Sequence, residues 1–159
     1  MAAHEAAADA VSVQTASFDA GAEIAALSAG REGVGAVASF VGTVRGEGVL
    51  AMSLEHYPGM TERALQNIVA DARSRWPLAS VRVIHRVGRL LPGEAIVFVG
   101  VASAHRHAAF EACAFIMDFL KTRAPFWKKE ETCDGARWVD ARDSDDAAAA
   151  RWASPGSET

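Results

Sequence analysis

The chain has 159 residues, a formal net charge of −4 and a hydrophobic fraction of 50%. This length and composition fit one globular domain with its own core and exclude a disordered or fibrous chain. The acidic balance disfavours general binding of nucleic acid or of an anionic membrane, while a local basic site stays compatible with it.

Targeting signals and cysteine usage predict the compartment. The N-terminus shows neither the basic segment nor the apolar run of a signal peptide, and no stretch reaches the roughly 18 apolar residues of a membrane span. The two cysteines, Cys113 and Cys133, form no CxxC pair and are too few for a disulfide framework. We therefore expect a soluble, cytoplasmic protein with two free thiols.

The chain begins with an Ala-rich segment without pattern, residues 1–10, which we expect to be disordered. Residues 11–18 alternate between apolar and polar side chains, as an edge strand does. Asp19 is a suitable N-cap for a short helix that ends near Gly30. The first ordered elements are therefore predicted to be a strand and a helix.

A glycine-containing turn separates the next two predicted strands. Residues 32–46 are rich in Val and Gly and lack a helical period, which predicts a buried strand ending at Arg45. Residues 49–57 predict a second strand after the GEG turn, and the short connection predicts that the two form a hairpin.

The segment after Pro58 and Gly59 predicts an amphipathic helix up to Trp76, with Thr61 as a candidate N-cap. Its apolar positions recur at helical spacing, so one face is expected to pack on the core.

The second half of the chain predicts two strands, a long helix and a last strand. Residues 80–90 alternate, with His85 on the same predicted face as Val81 and Val83. Residues 94–103 are almost wholly apolar, which predicts a central strand covered on both faces. A helix over about 104–122, with Ser103 as a candidate N-cap, precedes a possible strand over 136–141.

The predicted order is β-α-β-β-α-β-β-α-β. Because strand pairs are separated by helices, we predict the α+β class with a mixed or largely antiparallel sheet. Residues 11–152 are expected to form a single domain, and residues 153–159 a flexible tail.

Lys121 lies on the long helix in line with Phe110, Ala114 and Met117, at spacings of four, three and four. This places the lysine at the edge of an apolar stripe and off the solvated side. Two interpretations remain open. The side chain extends along the core with its ammonium in water, or it is partly desolvated with a lowered pKa suited to nucleophilic or base catalysis. Spacing alone favours the first.

His105, Arg106 and His107 open the same helix, where free N–H groups and the helix dipole attract anions. A solvated polar helix start explains them equally well. An HxH pair also suits a metal, but no second Cys or His cluster completes a site, so we predict none.

The densest positive charge of this acidic chain lies in residues 121–130, KTRAPFWKKE, with four cations and one carboxylate. Phe126 and Trp127 beside Lys128 and Lys129 predict one wall of an anion pocket, although a loop packed under the helix end fits as well. The residues alone thus predict an α+β domain with one basic, aromatic-walled pocket.

Longer motifs carry a resemblance to a known family. Over residues 11–152 the chain resembles the large, catalytic subunit of molybdopterin synthase. The motifs, in order, are FVGTVRG (40–46), LEHYPGMTE (54–62), HRVGRLLPGE (85–94), SAHRHAAFEAC (103–113), DFLKTRAPFWKKE (118–130) and RWVDAR (137–142).

The resemblance implies an α/β hammerhead fold and a homodimer that binds two small ubiquitin-like subunits in a heterotetramer. The small subunit carries a thiocarboxylate on its C-terminal Gly-Gly. The implied enzyme is a sulfurtransferase of molybdenum cofactor biosynthesis. It moves sulfur from this tail to cyclic pyranopterin monophosphate, giving the molybdopterin dithiolene. No metal or dissociable cofactor is implied for this step.

The resemblance also implies site residues. Lys121 and Lys128 match the catalytic lysines, the first as acid/base or covalent handle and the second as partner of the thiocarboxylate carbonyl. With both lysines, the implied substrate-binding residues are Arg45, His105, Arg106, Lys129, Glu130 and Arg142, the last lent across the dimer. The implied pocket wall consists of Phe40, Met117, Phe126 and Trp127.

Two other classes of function remain to be separated from the enzyme. A binding module without catalysis would keep the groove for an anionic tail but would not need Lys121. A nucleic-acid-binding domain is disfavoured by the acidic net charge and by the lack of a basic face.

Overall fold

The computed structural model of the chain describes residues 11–139 and 143–153. The predicted disordered start (1–10), the tail (153–159, apart from Ala153) and Arg142 lie outside the described residues. The elements in chain order are β1 Val11–Gln14, α1 Ala20–Ser28, β2 Ala36–Thr43, β3 Ala51–His56, α2 Met60–Arg75, β4 Ser80–Arg86, β5 Gly88–Leu90, β6 Ala95–Ser103, α3 Arg106–Arg123, β7 Phe126–Thr132, β8 Gly135–Val139 and α4 Asp143–Ala150.

The strands form two four-stranded sheets. Sheet A has the order β1-β4-β6-β2, in which β1 is parallel to β4 and the other neighbours are antiparallel. The predicted edge strand β1 and the predicted central strand β6 are confirmed, and β6 is buried from Val97 to Ser103. The α+β class with a mixed sheet is likewise confirmed.

Sheet B has the order β5-β3-β7-β8, and it corrects the predicted hairpin. β2 pairs with β6 in sheet A, whereas β3 pairs with β5 and β7 in sheet B. The prediction that β2 is buried is also wrong, because β2 lies at the edge of sheet A and only Ala38 of its residues is buried. Strand β7 is absent from the predicted order.

The structure shows that two of the three predicted helix N-caps are wrong. Asp19 caps α1 as predicted, since its Oδ1 accepts from the Ala22 N–H at 3.1 Å. The N-cap of α2 is Gly59 instead of Thr61. Ser103 ends β6 and its hydroxyl donates to the Pro77 carbonyl at 2.7 Å, so His105 is the N-cap of α3.

Three clusters of buried side chains hold the layers together. The main core lies between sheet A and the helices α2 and α3, with Leu65, Val99 and Phe115 among its members. A smaller cluster around Phe98 packs under α1. A third, around Leu54, belongs to sheet B, and Phe126 is packed against both this cluster and the main core.

Candidate active site

The topology gathers several predicted site residues at one end of sheet A. Helix α3 follows β6 after two residues and packs back along it, so Lys121 approaches the start of β6. The ends of β4 and β2 pair with this start, His85 opposite Val97 and Thr43 opposite Ala95. Arg45 lies two residues beyond Thr43 and is exposed.

Strand β7 brings Lys128 to this region from sheet B. Because side chains alternate along a strand, Phe126, Lys128 and Glu130 share one face, while Trp127 and Lys129 point to the other. Lys128 lies opposite Leu54 of β3, which is buried. The Lys128 face is therefore the inner face of sheet B, and the aromatic pair is divided between the two faces.

His85 is the residue of this site that sequence analysis did not assign. Its ring is 4% exposed and stacks on Phe126, with centroids 3.8 Å apart and planes at 19°. Its Nδ1 lies 2.8 Å from the Arg86 carbonyl oxygen. The one sequence feature that pointed to a buried His85 was its position on the same predicted strand face as Val81 and Val83.

Burial lowers the pKa of His85 from 6.5 to about 4. The positive charges of Lys128 and Lys121, and that of His56, lower it further, while the hydrogen bond with the Arg86 carbonyl acts in the opposite direction. Both lysines thus lie near enough to this imidazole for their charges to act on it. At neutral pH this histidine is uncharged.

Lys121 is exposed in the single chain, contrary to the prediction that it lies off the solvated side. The stripe that it shares with Phe110 runs along the border of the buried helix face, and Phe110 is 65% exposed. The buried face of α3 is formed instead by residues such as Ala112, Ile116 and Phe119. Met117, between these two faces, is half-buried against the main core.

The remaining pocket-wall and binding candidates are divided between β2 and the two faces of β7. Phe40 is 42% exposed on β2, and no strand of the described chain pairs with the outer edge of β2. Glu130 forms an ion pair with Arg137 at 3.4 Å. On the outer face of sheet B, the Lys129 Nζ lies 5.6 Å from the centroid of the Trp138 ring.

His105 and Arg106 lie at the opposite end of α3 from Lys121, and both are exposed. At 1.5 Å per residue, the fifteen steps from Arg106 to Lys121 span about 22 Å. The structure of one chain therefore separates the predicted phosphate ligands from the predicted catalytic lysines. Arg142, the third phosphate candidate, is outside the described residues.

Two open cavities, of about 400 and 430 Å³, lie elsewhere, next to α1 and the start of β4. Both are lined in part by Arg31, and neither contains a predicted site residue. Across residues 11–139 and 143–153, no group of three or more His, Cys, Asp or Glu could hold a metal ion. None of the helices described is both long and apolar enough to span a membrane.

Known proteins match this chain over most of its length. A family model described as MoaE protein matches residues 13–123. A protein of Pseudomonas aeruginosa named molybdopterin synthase catalytic subunit is 62% identical over 90% of this chain and 98% of its own. One of the same name from Ralstonia nicotianae is 64% identical over 89% of this chain and 83% of its own.

Solved structures agree with the sequence matches. The molybdopterin biosynthesis MoaE protein from Burkholderia ambifaria superposes with a TM-score of 0.80 at 58% identity, covering 92% of this chain and 99% of that one. Molybdopterin synthase from Staphylococcus aureus superposes with a TM-score of 0.74 at 29% identity, covering 80% of this chain and 95% of that one. Sequence and structure together show that the chain belongs to the MoaE protein family.

Proposed function

We propose that this chain is the catalytic subunit of a molybdopterin synthase. It transfers sulfur from the C-terminal thiocarboxylate of a small ubiquitin-like subunit to cyclic pyranopterin monophosphate and so forms the molybdopterin dithiolene. The observation that carries the proposal is the proximity of Lys121, on helix α3, and Lys128, on β7 of sheet B, to the ring of His85. It occurs in a chain that is more than 60% identical to proteins named for this activity. We place the reaction in the cytoplasm and assign it no metal or cofactor.

The two lysines suit the charges of this reaction. The thiocarboxylate is an anion whose sulfur displaces an oxygen substituent from a substrate carbon, which links the tail and the substrate as a thioester. Attack of water, or of the Lys121 amine, on the acyl carbon then moves negative charge onto the carbonyl oxygen. The acyl C–S bond breaks, the sulfur stays on the substrate, and the tail leaves as a carboxylate or as a transient amide of Lys121. Lys128, on the inner face of sheet B, holds that oxygen as an oxyanion site does. Lys121 exchanges the proton or forms a transient covalent bond. Arg45 and Glu130 complete the polar rim at the ends of β2 and β7.

The apolar residues on the same side of the site as the two lysines exclude water. Phe126 is half-buried on the same face as Lys128, and Met117 lies one turn before Lys121 on α3. Phe40 borders them from β2. Trp127 is directed to the other face of β7, so its part in the wall depends on contacts with a bound subunit. A closed wall protects the thiocarboxylate from hydrolysis.

Neither cysteine of the chain is assigned as a sulfur carrier. Cys113 is buried, its thiol lies 3.8 Å from the Val99 carbonyl oxygen, and burial raises its pKa to about 11. Since the thiolate is the nucleophile, this side chain is inert at neutral pH. Cys133 is exposed in the turn between β7 and β8, away from Lys121. The sulfur therefore comes from the small subunit.

A homodimer resolves the separation of the two halves of the site. Exposed Phe110 and Phe40, with the half-buried Met117 of the same α3 stripe, are the apolar side chains available for an interface. If a two-fold axis crosses α3 at right angles, the two α3 helices run antiparallel. His105 and Arg106 of one subunit then lie near Lys121 of the other and bind the substrate phosphate. Lys129 and Arg142 add positive charge around this complete site.

The test is a single-turnover reaction of the purified protein with a thiocarboxylated small subunit and cyclic pyranopterin monophosphate. We expect wild type to form dithiolene and Lys121→Ala to be slower by at least about a hundredfold, as for loss of an acid/base group. Arg123→Ala is the matched control. It removes a cation from the same helix turn, where Arg123 pairs with Asp71 at 3.1 Å, and should change the rate by less than about threefold.

Two outcomes contradict the proposal in different ways. Product from Lys121→Ala at the wild-type rate keeps the enzyme but reduces Lys121 to a lysine that covers apolar surface. No product from wild type, with the small subunit bound, indicates a binding module instead.

A further inference from the structure

Lys121 and Lys128 both act electrostatically on His85, although they belong to two separately built parts of the fold. Lys121 belongs to α3, which packs on sheet A, whereas Lys128 belongs to β7 in sheet B. No local hydrogen-bonding pattern of a single helix or strand fixes the spacing between the two ammonium groups. The contacts that hold β7 against sheet A determine it.

Besides the pairing of β7 with β3 and the core packing of Phe126, two contacts hold the residues that lead into β7. The Thr61 hydroxyl, at the start of α2, donates to the Pro125 carbonyl at 3.0 Å. The ring of His85, on β4 of sheet A, stacks on Phe126 of sheet B. Among the ring contacts of the described residues, this stack is the one that joins the two sheets. Phe126 and Lys128 share a face of β7, about 7 Å apart along the strand.

The orientation of the His85 ring is itself fixed by the backbone. β4 lies between β1 and β6, so His85 is paired with Val13 on one side and Val97 on the other. A carbonyl oxygen only accepts hydrogen bonds, so Nδ1 carries a proton and donates to the Arg86 carbonyl. Because it is buried and feels the charges of Lys128 and Lys121, the ring stays neutral and adds no third positive charge to the lysine pair.

We propose that His85 is a positioning residue for sulfur transfer. By stacking on Phe126 it fixes the start of β7 and so sets the spacing between the Lys121 and Lys128 ammonium groups. The role in sulfur transfer rests on the function proposed above, whereas the role in lysine spacing does not.

Two substitutions separate the ring from the hydrogen bond. His85→Phe keeps a flat ring to stack on Phe126 but loses the donor to the Arg86 carbonyl. His85→Asn keeps a donor but loses the ring. We expect His85→Asn to lower the single-turnover rate constant by about tenfold or more, because small displacements of catalytic groups are costly. His85→Phe should stay within about threefold of wild type, and substrate affinity should change little in either variant.

A second readout needs neither the small subunit nor turnover. A short amine-reactive cross-linker is added to the full-length protein, and the Lys121–Lys128 product is quantified by mass spectrometry. We expect a lower yield in His85→Asn and a wild-type yield in His85→Phe. His107→Asn is the matched control, because His107 is exposed at the opposite end of α3 from Lys121 and should not alter the yield.

The outcomes are distinguishable. Wild-type rate and cross-link yield in His85→Asn overturn the inference. Equal loss of rate in both His85 variants with unchanged cross-link yield also overturns it, because the loss of rate then does not come from a change in lysine spacing. If His85→Asn does not fold, Phe126→Leu removes the same stack from the other side, and retention of rate and yield in that variant is equally decisive. An inactive wild type with the expected cross-link pattern contradicts the proposed function alone.

Discussion

The buried imidazole of His85 makes the stability of the protein sensitive to mild acid. Its pKa is lowered to about 4 in the folded chain and returns to 6.5 on unfolding. Between these values the unfolded state binds more protons, so the free energy of unfolding falls as the pH drops through this window and is fully retained above it. We expect a loss of about 2 kcal/mol between pH 7 and pH 5 from this group.

Urea unfolding of wild type and His85→Phe at both pH values measures this loss. The variant is less stable at pH 7, because the Arg86 carbonyl loses its donor. Its stability should nevertheless change less between pH 7 and pH 5 than that of wild type. Parallel pH dependences in the two proteins would show that another group controls acid sensitivity.

Individual site residues could be predicted from the sequence only as far as local spacing reaches. The KTRAPFWKKE stretch identified Lys121 and Lys128 as members of a basic cluster before any fold was known. The stack of His85 on Phe126 joins residues 41 positions apart in two sheets, and local periodicity carries no information on such a contact. The exposure of Lys121 was missed because a helical stripe at the border of a buried face has the same spacing as one at its centre.

At the scale of the elements, the two long helices were predicted from their helical apolar spacing, and the central strand β6 from a short run of almost wholly apolar residues. Strand β7 was missed because its alternation sets lysine and glutamate on both faces, so no apolar pattern marks it. Only its pairing with β3 and β8 makes it a strand. The β2–β3 hairpin failed for a related reason, since apolar content predicts a strand but not its partner.

Trp152 makes several of the contacts that hold the C-terminal segment to the domain, and Arg151 adds an ion pair with Asp118 at 3.1 Å. Trp152 donates from Nε1 to Asp118 at 2.7 Å, and its ring meets Trp76 and Phe115 edge-on at 5.6 and 5.5 Å. The Arg75 guanidinium donates to its carbonyl at 2.8 Å. Asp118, three residues before Lys121, thus serves as an anchor for this segment.

We expect Trp152→Ala to lower the free energy of unfolding by about 2 kcal/mol, because a half-buried aromatic contact and a hydrogen bond are lost together. Chemical denaturation measures the change. Trp138→Ala is the control, since Trp138 is 56% exposed and its removal should cost less than about 0.5 kcal/mol. Equal effects of the two substitutions would contradict the anchoring role.

At the scale of the whole molecule, the separation of Arg106 from Lys121 along α3 requires that function and assembly be tested together. If each site combines Lys121 of one subunit with Arg106 of the other, a heterodimer of Arg106→Ala and Lys121→Ala chains contains one intact site and one doubly defective site. Random mixing then restores about one quarter of wild-type activity from two inactive homodimers. Rates of dithiolene formation, measured after subunit exchange, check this.

A site formed within one chain gives the opposite result, because every chain in the mixture carries a defect. Continued inactivity after confirmed exchange of subunits would therefore exclude the shared site. The fraction of mixed dimers, measured by native mass spectrometry because the two chains differ in mass, gives the degree of exchange.

The four tryptophans of the chain divide into two pairs with different surroundings. Trp76 and Trp152 lie edge to face in the contact of the C-terminal segment, while Trp127 and Trp138 are exposed on β7 and β8. The intrinsic fluorescence of the protein therefore contains two spectral components. Release of the segment would shift the emission of the first pair to longer wavelengths. A subunit that covers the outer face of sheet B would shift that of the second pair to shorter ones, so one cuvette can follow both events without an added dye.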